Sequence, residues 1–368
     1  MRHATLALAI ALTAAGWTAR AAEAPAHAAE EPARGGGLRL SQWTVNGRID
    51  WHLMRTDASG PHAMEKTRGK LMGAEIETFA TLSDGVRDVL NIGLQWPYAT
   101  DMAGADGRGR QMHFGNAFLV AKLGLGRPNI RVGQFVVPFG NLPVYETHTR
   151  PLQTLYAHSL GVRIDRGVSI EGMAGAYDYW LAVMGGNGAR GDNDGRPMFV
   201  ARAARRFELP GGGRLTAGVS GLRGDSMPRF VTGVDPTMAH GGMHMPLHHI
   251  LDFTDKARWA LDGEFELMQD TWRAELVAGR DTDGEVDGQF LQWNRALAGG
   301  AELTAQVARW SQPGGVRLAM GASLGREIEP NTTVRVAVTT ARGRMHGATR
   351  RETTLVLQIA RDFPRLIR

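Results

Sequence analysis

From about residue 37 to the end, apolar and polar residues alternate with a period of two, and no stretch offers the ~18 uninterrupted apolar residues of a membrane helix. Such a chain builds β-strands with one apolar and one polar face. In "ARWALDGEFELM", Trp259, Leu261, Gly263, Phe265 and Leu267 alternate with Ala260, Asp262, Glu264 and Glu266. "WTVNGRIDWHL", "GVRLAMGASLG", "TTVRVAVTT" and "TTLVLQIA" repeat the pattern. Sixteen such segments are expected, at about 37–54, 69–82, 86–97, 112–124, 129–137, 166–175, 177–185, 198–208, 213–224, 255–268, 271–281, 286–297, 300–310, 315–326, 331–342 and 352–361. Turns such as "LSDG", "ELPGGG" and "REIEPN" separate them. Gly 48 in 368 residues, nearly twice the usual ~7 %, fits a chain of strands and turns.

An even number of strands, mostly about 9 to 14 residues long, matches the length needed to cross a bilayer at a tilt. A large soluble β-sandwich or propeller competes with that reading. No repeat of 40 to 50 residues supports propeller blades, however, and sandwich strands are shorter. Closure into a barrel satisfies every backbone N–H and C=O in lipid and leaves no open edge. The expected fold is therefore all-β: a transmembrane antiparallel β-barrel of about sixteen strands, apolar faces toward lipid and charged faces toward a wet lumen. Trp43, Trp51, Trp96, Trp180, Trp259, Trp272, Trp293 and Trp310 lie mostly near strand ends, where aromatic girdles sit, although some would serve equally as core residues.

The start of the chain has the plan of an export signal. Arg2 and His3 precede a largely apolar run from Ala4 to Ala15, and small residues follow, so 1–22 reads as a signal peptide and 23–36 as a flexible periplasmic lead-in. Residues 37–368 form the barrel. The absence of cysteine excludes disulfides, thiolate metal sites and covalent c-type haem, and no cofactor is expected. A net charge of +5 is too small to mark a nucleic-acid binder.

One strand is broken. "RVGQFVVPFG" begins as a strand and runs into Pro138, Phe139 and Gly140, after which period two does not return until about Val168. So long an irregular stretch in a compact barrel is usually functional, and 138–165 is expected to fold inward as a constriction loop, an ordinary surface loop being the alternative.

"VGQFVVPFG", "ETHTRPLQTLYAHSLGVRIDRGVSIEG" and "YDYWLAVMGGNG" resemble the central signature of the phosphate-selective porin O and P family of Gram-negative outer membranes. Gly133, Phe135, Pro138, Phe139 and Gly140 match its strand end, and Asp165, Gly167, Val168 and Gly172 match its restart. The resemblance covers about residues 129 to 188. It implies a sixteen-stranded porin in the cell outer membrane, commonly a homotrimer, that passes anions or small polar solutes. The family's ladder of basic residues has no clear counterpart here, and the chain ends "RDFPRLIR" where such barrels usually end on an aromatic residue.

Arg131, Arg150, Arg163, Asp165 and Arg166 lie in or beside the inserted segment, with Glu146, His148 and His158 as opposite or titratable partners. Arginine facing carboxylate across a constriction orients a polar solute, and a surplus of arginine favours anions. Alternatively, these groups pair with one another and hold the loop.

Between the ninth and tenth strands, 225–254 reads as an extracellular loop that gathers His240, Met243, His244, Met245, His248 and His249. Thioether and imidazole suit copper or silver, which makes a metal-gathering barrel one alternative function and a loop of biased composition another. A scaffold barrel around a periplasmic partner is a third. Glu146, His148, His158 and Ser159 form no recognised catalytic motif, so no enzyme is expected. The expected partners are outer-membrane lipid or lipopolysaccharide and a small solute.

Overall fold

The computed structural model describes residues 37–59, 66–84, 88–98, 116–124, 126–141, 150–155, 159–160, 164–186, 196–226, 254–282, 284–345 and 348–367. They form sixteen antiparallel strands: β1 (Arg39–Ser59), β2 (Lys66–Ser83), β3 (Asp88–Tyr98), β4 (Ala117–Lys122), β5 (Asn129–Val136), β6 (Ile164–Ala174), β7 (Tyr177–Met184), β8 (Met198–Glu208), β9 (Arg214–Ser226), β10 (Thr254–Leu267), β11 (Asp270–Asp281), β12 (Gly284–Leu297), β13 (Ala301–Gln312), β14 (Gly315–Glu329), β15 (Thr332–Met345) and β16 (Ala348–Ile367). Each strand pairs with its sequence neighbours and β1 pairs with β16, which closes the barrel and leaves no edge.

Alternation decides which way each residue points. Ile49, Leu119, Val168, Val219, Leu318 and Leu355 stand on the outer face and remain exposed. Asp50, Gln95, Arg202, Lys256, Glu275 and Gln358 point inward and are buried. A soluble barrel would have the opposite arrangement, so the outer surface is built for lipid and the interior for polar groups. Val336, flanked by Val334 and Val338 on the outer face of β15, tests this arrangement. Val336→Lys is expected to cost about 2–4 kcal/mol of unfolding free energy in lipid vesicles, as a lipid-facing cation does near the midplane. A loss below about 0.5 kcal/mol would place the lipid elsewhere.

The strands run further than period two suggested. The apolar outer face of β1 gives way to Arg55 and Asp57, yet pairing with β16 continues to Ser59↔Arg351. β15 continues to Met345 in the same way. At the other end β16 passes through Pro364 to Ile367, because a register irregularity opposite Val45 and Gly47 absorbs the proline. There Arg365 takes a left-handed conformation (φ 57°), and its N–H donates to Asn46 Oδ1 at 3.0 Å. Phe363 pairs with Gly47 and lies under Arg361, whose guanidinium carbon is 5.6 Å from the ring centre.

The long connections gather at one end of the barrel. One end carries the short links β2–β3, β4–β5, β6–β7, β8–β9, β10–β11, β12–β13 and β14–β15 together with both termini of the barrel. The other end carries β3–β4, β5–β6, β7–β8 and β9–β10, each more than ten residues long, together with the shorter links β1–β2, β11–β12, β13–β14 and β15–β16.

The tryptophans divide between the two faces. Trp43, Trp259 and Trp272 are exposed on the outside, and Trp272 sits 5.9 Å from Trp293. Trp180 and Trp310 instead point into the lumen, each beneath an arginine, and so correct the expectation of a girdle at those two positions. The side chain of Trp96 lies outside the described set.

Candidate functional site

β5 ends at Val136 because Pro138 has no N–H to give to the ladder. The chain then turns into the barrel, and strand residues from the far wall supply the hydrogen bonds it has left. The N–H of Phe139 donates to Val137 O (2.8 Å), that of Gly140 to Ser220 Oγ (2.9 Å) and that of Asn141 to Glu275 Oε2 (2.9 Å). Asn141 Nδ2 donates to Ala274 O at 3.2 Å. The segment's carbonyls find cations: Arg202 Nε donates to Gly140 O (3.1 Å) and Lys256 Nζ to Leu160 O (2.8 Å). Arg258 donates to Ser159 O, and Gln306 Nε2 to Gln153 O at 3.0 Å. β8, β9, β10, β11 and β13 thus replace the missing ladder, as irregular backbone inside a membrane barrel requires.

Packing follows the same path. Val137, Phe139, Leu155 and Leu160 are buried against Met184, Met198, Leu222, Val277, Phe290 and Trp310, an apolar patch on the inner wall. Leu152 reaches further round, to Ala337 and Val356 on β15 and β16. The segment therefore lies across the lumen from the β5–β6 wall toward the β15–β16 wall.

Two glycines make room for it. Gly140 adopts φ +57°, where a side chain is strained, and a Cβ there would stand 2.7 Å from Glu275 Oε1. A Cβ on Gly321 would come within 2.6 Å of Leu152 Cδ2. Gly140→Val is expected to pull Asn141 away from Glu275 and raise open-channel current noise at least about threefold, with the barrel's heat-shifted electrophoretic mobility retained. Unchanged noise would mean that Gly140 is not an anchor.

Two buried ion pairs support the path. Arg202 holds Asp262, with both side chains fully buried and the guanidinium 5.3 Å from the Trp180 ring centre. Arg258 grips Asp281 through Nε at 3.0 Å and Nη2 at 2.7 Å to each carboxylate oxygen.

The wall formed by β13 to β1 is polar. Asp50 accepts from Gln358 Nε2 (2.9 and 2.8 Å) and pairs with Arg48 (3.2 Å) and His52 (2.9 Å). Arg335 Nη1 donates to Gln358 Oε1 at 3.3 Å. Arg150, in the inserted segment, pairs with Glu302 at 3.2 Å. Arg48 pairs also with Asp362 at 2.8 Å, so arginines from β1, β15 and the segment share this wall with Asp50, Glu302 and Asp362.

The residues singled out in the sequence divide. Arg131 points inward, pairs with Glu171 at 2.8 Å and lies over the rings of Phe118 and Phe135. Arg150 belongs to the group on the polar wall. Asp165 is buried and accepts N–H bonds from Arg166 (2.8 Å) and Gly186 (2.6 Å), which secures the start of β6. Arg166 shares its strand face with Val168 and Ile170, the outer face, and donates to Gln134 at 3.3 Å, so it stands apart from the lumen group. Glu146, His148, His158 and Arg163 lie outside the described residues, as do His240, Met243, His244, Met245, His248 and His249. Sequence reasoning missed Arg48, Arg202, Arg258 and Arg335. Each occupies a polar inward position of an alternating strand, which was the available signal.

No protein-family model and no curated protein matches the chain. Solved outer-membrane barrels do. An anion-selective porin from Comamonas acidovorans superposes with a TM-score of 0.62 at 12 % identity, over 88 % of this chain and 99 % of that one. OprB of Pseudomonas putida gives 0.57 at 10 % identity over 89 % and 94 %. The trimer form of OmpT, an outer membrane protein of Vibrio cholerae, gives 0.56 at 11 % identity over 86 % and 99 %. At these identities the likeness is one of fold.

Proposed function

We propose that this chain is an outer-membrane porin through which small polar solutes diffuse, with a bias toward anions. One observation carries the reading: the inserted segment crosses a polar lumen and pairs Arg150 with Glu302, on the wall where Arg48 pairs with Asp50 and Asp362 while Arg335 has, among the described residues, the amide of Gln358 and no carboxylate as its hydrogen-bond partner. A guanidinium in a constriction that no carboxylate pairs with lowers the cost of desolvating an anion more than that of a cation. Segment 138–165 is the constriction loop in this account, with Arg131 and Arg150 on its lumenal path. Residues 1–22 would direct export and 23–36 would lie in the periplasm. The barrel would assemble as a homotrimer, as the trimer form of a structural neighbour suggests by analogy. The phosphate specificity that the sequence resemblance implies rests on that resemblance alone.

Liposome swelling tests the reading. Vesicles containing the refolded protein are expected to admit a small neutral sugar, and to admit a monoanion of similar size faster than the matching cation. No swelling from inserted barrels would remove the diffusion function. Equal rates for the two ions would remove the anion bias alone.

A further inference from the structure

The outer face of the barrel changes character along β15 and β16. Cross-strand partners Val334↔Ile359, Val336↔Leu357 and Val338↔Leu355 form three apolar rows. Thr340↔Thr353 follows, their hydroxyls 3.3 Å apart, and Arg342↔Arg351 comes next, with Arg344 one row beyond. These rows approach the Met345↔Ala348 hairpin, at the barrel end that carries the long connections.

Arg342 and Arg351 face each other directly across neighbouring strands, where Cβ atoms stand about 4.5–5.5 Å apart and like charges destabilise the pair. Both are exposed, as is Arg344, and none has an acidic partner among the described residues. On β1, Ser59 stands opposite Arg351, while Asp57, opposite Thr353, is paired with Arg55 at 3.4 Å. Three basic residues at the opposite end of the outer face are accommodated differently: Arg295 approaches Asp270 at 3.9 Å, Arg361 approaches Glu329 at 3.8 Å and stacks on Phe363, and Arg205 stacks on Tyr177 and Phe207, whereas Arg326 there stands opposite Val334 and faces no second arginine. The juxtaposed pair on β15 and β16 calls for an anion from outside the chain. The partners of Arg342 and Arg344 on β14 are Leu318 and Val316, both exposed, so any occupant of the site has apolar surface beside and below it.

We infer that Arg342, Arg344 and Arg351 bind the phosphate of an anionic lipid whose acyl chains lie on the apolar rows of β14 to β16. The inference rests on the membrane-barrel reading. A phosphate offers several charge-assisted acceptors and bridges guanidiniums that would otherwise repel. The apolar rows below distinguish an acylated phosphate from a free one, because only the former buries Val338, Leu355 and Leu318.

The test uses the refolded full barrel in neutral detergent, with phosphatidic acid and phosphatidylcholine offered together and bound lipid read by native mass spectrometry. The wild type is expected to retain phosphatidic acid, and the triple variant Arg342→Gln/Arg344→Gln/Arg351→Gln to lose that preference by about tenfold or more. Arg326→Gln/Arg361→Gln, at the other end of the outer face, is expected to keep it. Equal retention by wild type and triple variant overturns the inference, as does an equal loss in the control variant. Displacement by inorganic phosphate at the lipid's own concentration would assign the site to a free anion. A change in the oligomeric mass of the lipid-free triple variant would assign it to a second copy of the chain. A folded barrel that inserts but shows no lipid preference sinks this inference alone, whereas a chain that never yields a heat-modifiable, inserting barrel sinks the membrane reading with it.

Discussion

Arg202→Ala is expected to lower the unfolding free energy by about 3–5 kcal/mol, the range for removing one partner of a buried ion pair. Arg202 and Asp262 are both fully inaccessible, and Asp262 Oδ1 already has no hydrogen-bond partner. Losing the guanidinium leaves a carboxylate buried without its cation. It also leaves Gly140 O without the donor that anchors the inserted segment. Gly218 lies opposite with no side chain, and a Cβ there would come within 2.6 Å of both Arg202 Nη2 and Asp262 Oδ2, so the wall is shaped around this pair. Two readouts are therefore expected to move together: the urea midpoint in lipid vesicles falls, and open-channel current becomes noisier as the segment loosens. Arg202→Ala/Asp262→Ala removes both charges and is expected to recover part of the stability but none of the anchoring. Destabilisation below about 1 kcal/mol in the single variant would mean that Asp262 is solvated and the segment is held elsewhere.

The second large effect concerns selectivity. Arg48→Gln/Arg150→Gln/Arg335→Gln removes the three guanidiniums of this wall and leaves Asp50, Glu302 and Asp362, so an anion-biased reversal potential is expected to become cation-biased. Asp50 keeps Gln358 and His52 as partners in that variant, and Arg150 and Glu302 are about one-third exposed, so the barrel itself should persist. Arg150→Gln alone is expected to shift the potential part of the way. The shift should shrink with salt, because the screening length falls from about 10 Å at 0.1 M to about 3 Å at 1 M. A triple variant that keeps wild-type selectivity at low salt would move the selecting charges to another part of the lumen.

The fold was legible because strand alternation is a local property repeated along the whole chain, so each segment announced its faces independently. Boundaries were less so. On β1 the outer face changes from Leu53 to Arg55 and Asp57 while pairing continues, since a strand that leaves the lipid keeps its hydrogen bonds but no longer needs apolar side chains. The last strand was expected to end at about 361, and it runs on through Pro364, which a local irregularity carries. The break at Pro138 correctly pointed to an inserted segment, because a missing donor and the loss of period two are both visible in one dimension. The partners of that segment were not, since Ser220, Glu275 and Arg202 lie 62 to 134 residues away in sequence and meet it only through closure of the barrel. Trp180 and Trp310 show the same limit: position near a strand end suggested an interface, while parity within the strand put both rings inside.

The central claim is an open, anion-biased passage narrowed by the inserted segment, and single-channel recording of the refolded wild type in planar bilayers under a salt gradient tests it most directly. The account predicts discrete ohmic steps with a reversal potential displaced toward the equilibrium potential of the anion. Silence from a correctly folded, heat-modifiable barrel would contradict the passage itself, and cation-biased steps would contradict the role given to Arg48, Arg150 and Arg335.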